Sequence, residues 1–285
     1  MQIAEATPSV KIPRLSRQQF DRIAEIVYGN CGINLEFCKK TMVESRLNRR
    51  LRALNILSFE NYLQFITSKE GVENELVNMI DVVTTNKTDF FREKHHFDFL
   101  TEAVLPDFFE DNANQTLKVW SSACSSGEEP YTLAMVLQEF ARSHRGFDYE
   151  ILASDISTQI LQKAVDAIYP ADRVIDIPNE YRSKYLLKSK SQEYPKIRIV
   201  SELRSKVKFE HINLIAADLR VDRVQDIIFC RNVLIYFDRE TQLKVIQNLL
   251  NNLRPGGLLF IGHSESLHFF ELPIKQVRPT IFIKL

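Results

Sequence analysis

Between Leu117 and Leu137 a hydrophobic run (Leu117, Val119, Trp120) gives way to Ser121-Ser122-Ala123-Cys124-Ser125-Ser126-Gly127, and a helix is expected to open at Pro130. A run fit for a buried strand, followed at once by small residues and a proline-started helix, is the opening of a parallel α/β unit. Such sheets take ligands in the crevice beyond the carboxyl ends of their strands, where small side chains let a ligand approach the backbone. Strand and helix signals alternate from there to Leu285, which predicts a Rossmann-like domain over residues 116–285.

A chain of 285 residues, 45% of them hydrophobic, has material for two domains. Residues 1–15 read as a flexible N-terminus and 16–84 as a helical domain. Ser16 is the expected N-cap of a helix carrying Phe20, Ile23, Ile26 and Val27, which the Gly29 to Gly32 segment breaks. The next helix runs from Lys39 or Lys40 to Leu54, with Val43, Leu47, Leu51 and Leu54 on one stripe. Arg46, Arg49 and Arg50 stand on the other side, with Arg52 nearby. Ser58 starts a third helix, and Glu73 to Val83 reads as a further one. Lys and Arg number 10 against 5 Asp and Glu from Met1 to Leu54, although the whole chain balances at 37 of each. The overall balance argues against a generic polyanion binder. The local excess fits either a solvated helix face or a dock for an acidic partner.

Residues 85–115 read as a linker with a connecting helix, in which Asn86 is a turn former and Thr88 a cap with Asp89 in the first turn. A plain interdomain connection would look the same, except for Arg92, whose guanidinium can grip a ligand carboxylate through two hydrogen bonds. A second strand, Tyr149 to Asp155, ends in an acid 28 positions after Gly127. That acid either accepts hydrogen bonds from ribose hydroxyls or caps the helix expected from Ser157 to Ala167. Residues 169–208 look like an inserted antiparallel β-subdomain, in which Tyr194 to Val200 alternates like a half-exposed strand. Val207 to Glu210 resumes the sheet, and Asp226 to Phe229 forms a core strand from which Arg231 and Asn232 emerge at the ligand face, with Tyr236 one turn on. A helix from Arg239 to Leu253, a turn at Pro255-Gly256-Gly257, a strand Leu258 to Ile261 and an edge strand at Thr280 to Lys284 complete the pattern.

The loop has one glycine in place of the three in G-x-G-x-x-G, and Glu128 and Glu129 stand where a dinucleotide's pyrophosphate would sit. Ser126 and Glu129 also have capping-box spacing. A cationic ligand without phosphate escapes the repulsion, and S-adenosylmethionine fits: ribose for Asp155, carboxylate for Arg92. Cys31, Cys38, Cys124 and Cys230 contain no CxxC pair, which points to a reduced, cytoplasmic protein without structural metal. No run has the length and apolarity of a leader or bilayer span.

The segments Thr85 to Arg92, Trp120 to Tyr131, Ala153-Ser154-Asp155-Ile156, Asn213-Leu214, Phe229 to Phe237 and Gly262-His263-Ser264-Glu265 together resemble the chemotaxis receptor methyltransferase (CheR) family, from about Ser16 onward. The resemblance implies an all-α N-terminal domain before a Rossmann-like S-adenosylmethionine-dependent methyltransferase domain with a small antiparallel β-subdomain. It implies methyl esterification of chemoreceptor glutamates, with S-adenosylhomocysteine as product. The implied cofactor contacts are Asn86, Thr88, Arg92, Glu129, Asp155, Asn213, Leu214, Arg231 and Asn232, with Ala123 and Gly127 in the loop. Arg92 and Tyr236 would lie nearest the methyl group, and Arg46, Arg49, Arg50 and Arg52 would face the receptor's methylation helices. The loop Lys188 to Glu193 lacks the glycine of members that hold a receptor tether, so docking through the methylation helices alone is the expectation. An acceptor glutamate, with an ordinary pKa near 4.3, is already ionised at neutral pH and needs no general base. No metal, no covalent intermediate and a monomer are expected, with His95, His96, His211 and His263 structural. The rival enzyme is a nucleic-acid methyltransferase, disfavoured because the basic face lacks interleaved aromatics. The rival of another class is a binding module that senses S-adenosylmethionine without turnover.

Overall fold

The computed structural model describes residues 12–84, 86–112, 115–190 and 193–285. Thr85 and the Ser191-Gln192 part of the glycine-free loop lie outside the described residues, as do residues 1–11 of the expected flexible N-terminus and 113–114 of the expected linker. Two compact units are present. One takes residues up to 30 together with 34–84, the other 31–33 together with 86–285.

In the helical unit, α1 (Arg17–Cys31) begins where Ser16 Oγ accepts the Gln19 N–H at 3.2 Å and Gln19 Oε1 accepts the Ser16 N–H at 3.0 Å. That reciprocal cap satisfies donors the helix cannot pair itself. α2 (Lys40–Ala53) buries Val43, Leu47 and Leu51. α3 (Phe59–Ile66) is capped by Ser58, which accepts the Asn61 N–H. The single helix expected from Glu73 to Val83 is instead two, α4 (Lys69–Asn74) and α5 (Leu76–Val83). The chain breaks at Glu75 because its buried carboxylate is taken by Arg50 at 2.9 and 2.6 Å and by the Tyr62 hydroxyl at 2.9 Å. Arg46 Nη1 donates to the carbonyls of Val82, Val83 and Thr84 at 3.2, 3.1 and 2.6 Å, meeting the negative end of α5.

The larger unit opens with α6 (His95–Phe99), a π-turn over Leu100–Val104 and α7 (Leu105–Asp111). No helix is capped at Thr88: Asn86 to Asp89 is irregular and α6 starts only at His95. There follow β1 (Thr116–Ser121), α8 (Glu128–Ser143), β2 (Asp148–Asp155), α9 (Thr158–Asp166), β3 (Ile168–Pro170), α10 (Asn179–Tyr185), β4 (Leu186–Lys188), β5 (Lys196–Ile199) and α11 (Ser201–Arg204). β6 (Val207–His211), β7 (Gln225–Cys230), α12 (Arg239–Asn251), β8 (Leu253–Ile261), β9 (Ile274–Arg278) and β10 (Ile281–Lys284) complete it. The seven-stranded sheet has the order β6-β2-β1-β7-β8-β10-β9, and its first five strands are parallel. β1, β2 and β6 step outward to one side, and β7 and β8 to the other. The crevice between β1 and β7 is where the direction reverses, which is where open α/β sheets bind ligands.

Alternation builds the two faces of this sheet. Ile227 and Phe229 join one buried cluster with Phe97, Leu133 and Phe260, whereas Ile228 and Cys230 join another with Trp120, Leu234 and Val245. The inserted subdomain is a separate antiparallel sheet, β3-β5-β4, whose central strand buries Ile197 and Ile199 and exposes Lys196 and Arg198. The fold class expected from the sequence is therefore the one observed. Three details differ. α8 starts at Glu128 because Gly127, at φ +96°, is its N-cap. Pro255-Gly256-Gly257 lies inside β8, where the pairing with β7 shifts register between Gln225 and Ile227. The tail strand β10 is not the edge, because β9 pairs outside it.

Candidate functional site

The parallel strands deliver their exits to one end of the sheet. The loop after β1 is laid across its neighbours: the Ser122 N–H and hydroxyl both donate to the Phe229 carbonyl, at 2.9 and 3.0 Å, and the Cys124 N–H donates to the Ser154 carbonyl at 2.8 Å. Its last residue must be glycine. A Cβ on Gly127 would stand 2.9 Å from both Ala164 Cβ and the Tyr169 hydroxyl, on backbone that side chains already disfavour. Asp155, buried at the end of β2, accepts the Ser125 N–H on one oxygen at 2.8 Å and the Ser157 N–H on the other at 3.0 Å. The side chain that caps α9 is Ser157, whose hydroxyl accepts the Ile160 N–H. Asp155 thus ties the glycine loop to the end of β2.

Glu129 makes no capping box with Ser126. Its Oε1 accepts the Ser121 hydroxyl at 2.7 Å and its Oε2 accepts Arg231 Nη1 at 2.9 Å, while Ser126 Oγ donates to Glu128. Arg231, at the exit of β7, also reaches Glu93 Oε2 at 3.1 Å and donates to the Arg92 carbonyl. Two carboxylates therefore flank one guanidinium whose side chain is 2% exposed. Burial alone would raise the Glu93 carboxyl, but Arg231 and hydrogen bonds from Asn232 and the His263 N–H outweigh it and hold it below its ordinary value. Arg231 Nε is buried and makes no hydrogen bond among the described residues.

Asn232 has a left-handed backbone, φ +58°, and its side-chain amide donates to Glu93 Oε1 at 3.2 Å. Its N–H donates to Glu265 Oε2 at 3.0 Å, and the Leu234 N–H to Glu265 Oε1 at 2.7 Å. Tyr236 is half-buried and ends the short 3-10 turn that follows. The segment from Asn86 to Glu93 is bound to these exits as well: Ser125 Oγ donates to the Asn86 carbonyl at 3.1 Å, and Arg173 Nη2 to the Thr88 carbonyl at 2.5 Å. Arg92 Nη1 donates to the Lys87 carbonyl at 3.1 Å. After β6, Asn213 Oδ1 accepts the Ile215 N–H at 3.3 Å, and buried Leu214 has its carbonyl held by Asn248 at 2.9 Å.

Hydrogen bonds and ion pairs thus gather Asn86, Arg92, Gly127, Glu129, Asp155, Arg231 and Asn232, with Ala123 inside the bound loop. Thr88 is held from Arg173, Asn213 and Leu214 follow β6, and Tyr236 follows β7. Arg46, Arg49, Arg50 and Arg52 belong to the helical unit, where the first and third are engaged internally and Arg49 and Arg52 are exposed. Glu93 and Glu265 were not among the residues expected at the site. Glu93 directly follows one segment that the sequence marks out and Glu265 ends another, but nothing local says what they bond. The thiols of Cys124 and Cys230 are pushed up by burial and stay protonated. Among the described residues no helix is long and apolar enough to cross a membrane.

The model of the CheR methyltransferase SAM-binding domain matches residues 86–283, and that of the CheR all-alpha domain matches residues 18–84. The chain is 38% identical over 257 residues to a chemotaxis protein methyltransferase of Borreliella burgdorferi, covering 89% of each chain. It is 37% identical to the chemotaxis protein methyltransferase of Escherichia coli, over 90% of this chain and 87% of that one. Among solved structures, a glycopeptide N-methyltransferase, MtfA, complexed with S-adenosyl-L-methionine is 13% identical over 62% of this chain and 51% of its own, with a TM-score of 0.36. That likeness is too slight to carry an argument. Matched over both domains by family models and over most of its length by these relatives, the chain belongs to the CheR methyltransferase family, with an S-adenosylmethionine-binding methyltransferase domain.

Proposed function

We propose that the chain methylates glutamate side chains of chemoreceptors, giving glutamate methyl esters and S-adenosylhomocysteine. The observation that carries this reading is the set of charged and polar groups at the strand ends, Arg231 between Glu93 and Glu129 with Asp155 beside the glycine loop, in a chain whose relatives are chemotaxis methyltransferases. The residues present fit S-adenosylmethionine. Buried Asp155 suits ribose hydroxyls, the Glu129 side suits a cation and Arg92 suits a carboxylate. Bound there, S-adenosylmethionine supplies a methyl group on a positively charged sulfur.

What the chain itself must do is align and dehydrate. The acceptor carboxylate is ionised at neutral pH, so the site has no proton to remove. The buried thiols of Cys124 and Cys230 stay protonated, so neither is poised as a nucleophile, and the gain comes from holding two reactants in line. Arg92 and Tyr236 are the groups we place beside the reacting atoms, and Asn86, Thr88, Asn213, Leu214 and Asn232 complete the cofactor's surroundings. Arg49 and Arg52 are exposed on α2 and are the cations we assign to the receptor's methylation helices. We further infer a cytoplasmic enzyme that uses no metal.

Labelled methyl transferred to chemoreceptor-containing membranes, released by mild alkali and lost in Arg92→Ala, is the expected result. Alkali-stable label, or label in RNA or DNA, would show a different acceptor. Cofactor binding with no transfer to any receptor would point to a sensing module.

A further inference from the structure

Asn232 to Tyr236 is an unusual stretch to find fixed. It begins with a left-handed asparagine and runs into a 3-10 turn in which Leu234 is buried and Ile235 is half exposed. The N–H groups of Asn232 and Leu234 converge on one side chain from the loop after β8. Glu265, 8% exposed, accepts the N–H groups of Asn232 at 3.0 Å, Leu234 at 2.7 Å and its own neighbour Gly262 at 2.5 Å, and a hydrogen bond to the Ile235 backbone adds to these. Among the described residues no Lys, Arg or His pairs with it in an ion bridge. Its partners are main-chain dipoles, which makes it a template for backbone shape and not a charge partner. The exit of β8 is moulded to match: a Cβ on Gly262 would stand 2.6 Å from Asn232 Nδ2 and 2.8 Å from Glu265 Oε2. The opposite side of the turn is pinned from α12, where Gln242 Nε2 donates to the carbonyls of Leu234 and Phe237 at 3.0 and 3.1 Å.

We propose that Glu265 is a positioning residue for methyl transfer, setting from the loop after β8 the turn that presents Asn232 and Tyr236 while touching neither reactant. The proposal rests on the reading that this end of the sheet is the transfer site. Asp155, Glu129 and Gly127 stand on other strand exits and exchange no hydrogen bond with Glu265 among the described residues. Loosening the turn therefore displaces Tyr236, and it reaches the cofactor only through Asn232, whose side-chain amide Glu93 still holds at 3.2 Å.

In the full-length chain, Glu265→Gln keeps the size of the side chain but turns an amide NH2 toward converging N–H donors. Methyl transfer to receptor membranes is expected to fall at least about tenfold in kcat, with cofactor affinity by calorimetry changed less than about threefold. In a Tyr236→Phe background the same substitution is expected to lower kcat less than about threefold, because the two residues act as one unit. Equal losses in both backgrounds, or a loss of cofactor affinity that matches the loss of rate, overturn the proposal. Should Glu265→Gln not fold, Gln242→Leu loosens the same turn from its carbonyl side and must give the same selective loss in kcat; an unchanged rate there also overturns it. A wild-type chain that transfers no methyl to receptors defeats the functional reading, whereas an active wild type with a fully active Glu265→Gln defeats only this proposal.

Discussion

Arg231 holds Glu93 at 3.1 Å with its own side chain 2% exposed, and so joins the segment before α6 to the exit of β7. Removing one partner of a buried ion pair costs about 3–5 kcal/mol when nothing else compensates the charge left behind. Here Glu129 remains at 2.9 Å. Glu93→Ala is therefore expected to lose about 2–3 kcal/mol, read from urea unfolding, together with weaker cofactor binding. An unfolding curve that superimposes on wild type would show that the pair contributes nothing.

Acid sensitivity has a specific origin in His96. Its ring is fully buried, with Nε2 at 2.8 Å from the Thr280 hydroxyl, and burial first, then Arg231 and His95, lower its pKa from 6.5 to about 3. It is neutral in the fold and takes up a proton only on unfolding, so its contribution is complete above pH 6.5 and is lost as pH falls toward about 3. The slope is about 1.4 kcal/mol per pH unit in that window. His96→Gln cannot take up the proton, and its melting temperature is expected to fall less than that of wild type from about pH 7 to about pH 5. Parallel slopes in the two proteins would locate acid sensitivity elsewhere.

Arginines on α2 divide by what they touch. Arg50→Ala strips a partner from a Glu75 carboxylate that is 2% exposed, and about 3 kcal/mol of stability of the helical domain is expected to go with it. Arg49→Glu and Arg52→Glu are expected to leave stability within about 0.5 kcal/mol, because both side chains are exposed. They are expected to slow receptor methylation, most at low salt. Methylation rates that ignore both reversals would remove α2 from the receptor contact.

Asp155→Asn keeps the shape but removes the charge and one acceptor oxygen. The Ser125 and Ser157 N–H groups that the carboxylate holds would compete for what remains. Cofactor affinity is expected to fall about tenfold to a hundredfold, measured by calorimetry, since hydrogen bonds to charged groups contribute about 1.5–3 kcal/mol. Undiminished affinity would restrict Asp155 to shaping the loop.

Elements with a strong local pattern were legible from sequence. The β1 run, the Gly127 turn and the α2 stripe of Val43, Leu47 and Leu51 carry their own period and punctuation, and they fold as read. Errors arose where a distant partner overrides local preference. Thr88 has the composition of a cap, but its backbone is claimed by Arg173. Ser126 and Glu129 have capping-box spacing, but Arg231 and Ser121 claim the glutamate. Glu75 sits in a good helical run, and Arg50 and Tyr62 break it. β10 looks like an edge from the sequence because the strand that flanks it, Ile274 to Arg278, buries little on either face and so has a weak period. The same holds at the site, where the side chains were visible but their pairing was not. Glu93 and Glu265 follow or end recognisable segments, and only the sheet brings them onto one asparagine.

Four non-glycine residues around the strand exits, Phe91, Glu93, Ser125 and Asn232, are left-handed, with φ of +54°, +57°, +49° and +58°. Each is a conformation that glycine adopts freely and an ordinary side chain adopts at a cost of about 1–2 kcal/mol. This sets stability against activity at named positions. Variants selected for heat resistance alone should accumulate glycine here, with Asn232→Gly gaining backbone ease while losing the amide that Glu93 holds. On the proposed function, a lineage selected for turnover is expected to keep these side chains despite the strain, and one that relaxes them to gain a sturdier protein that still folds but transfers methyl poorly.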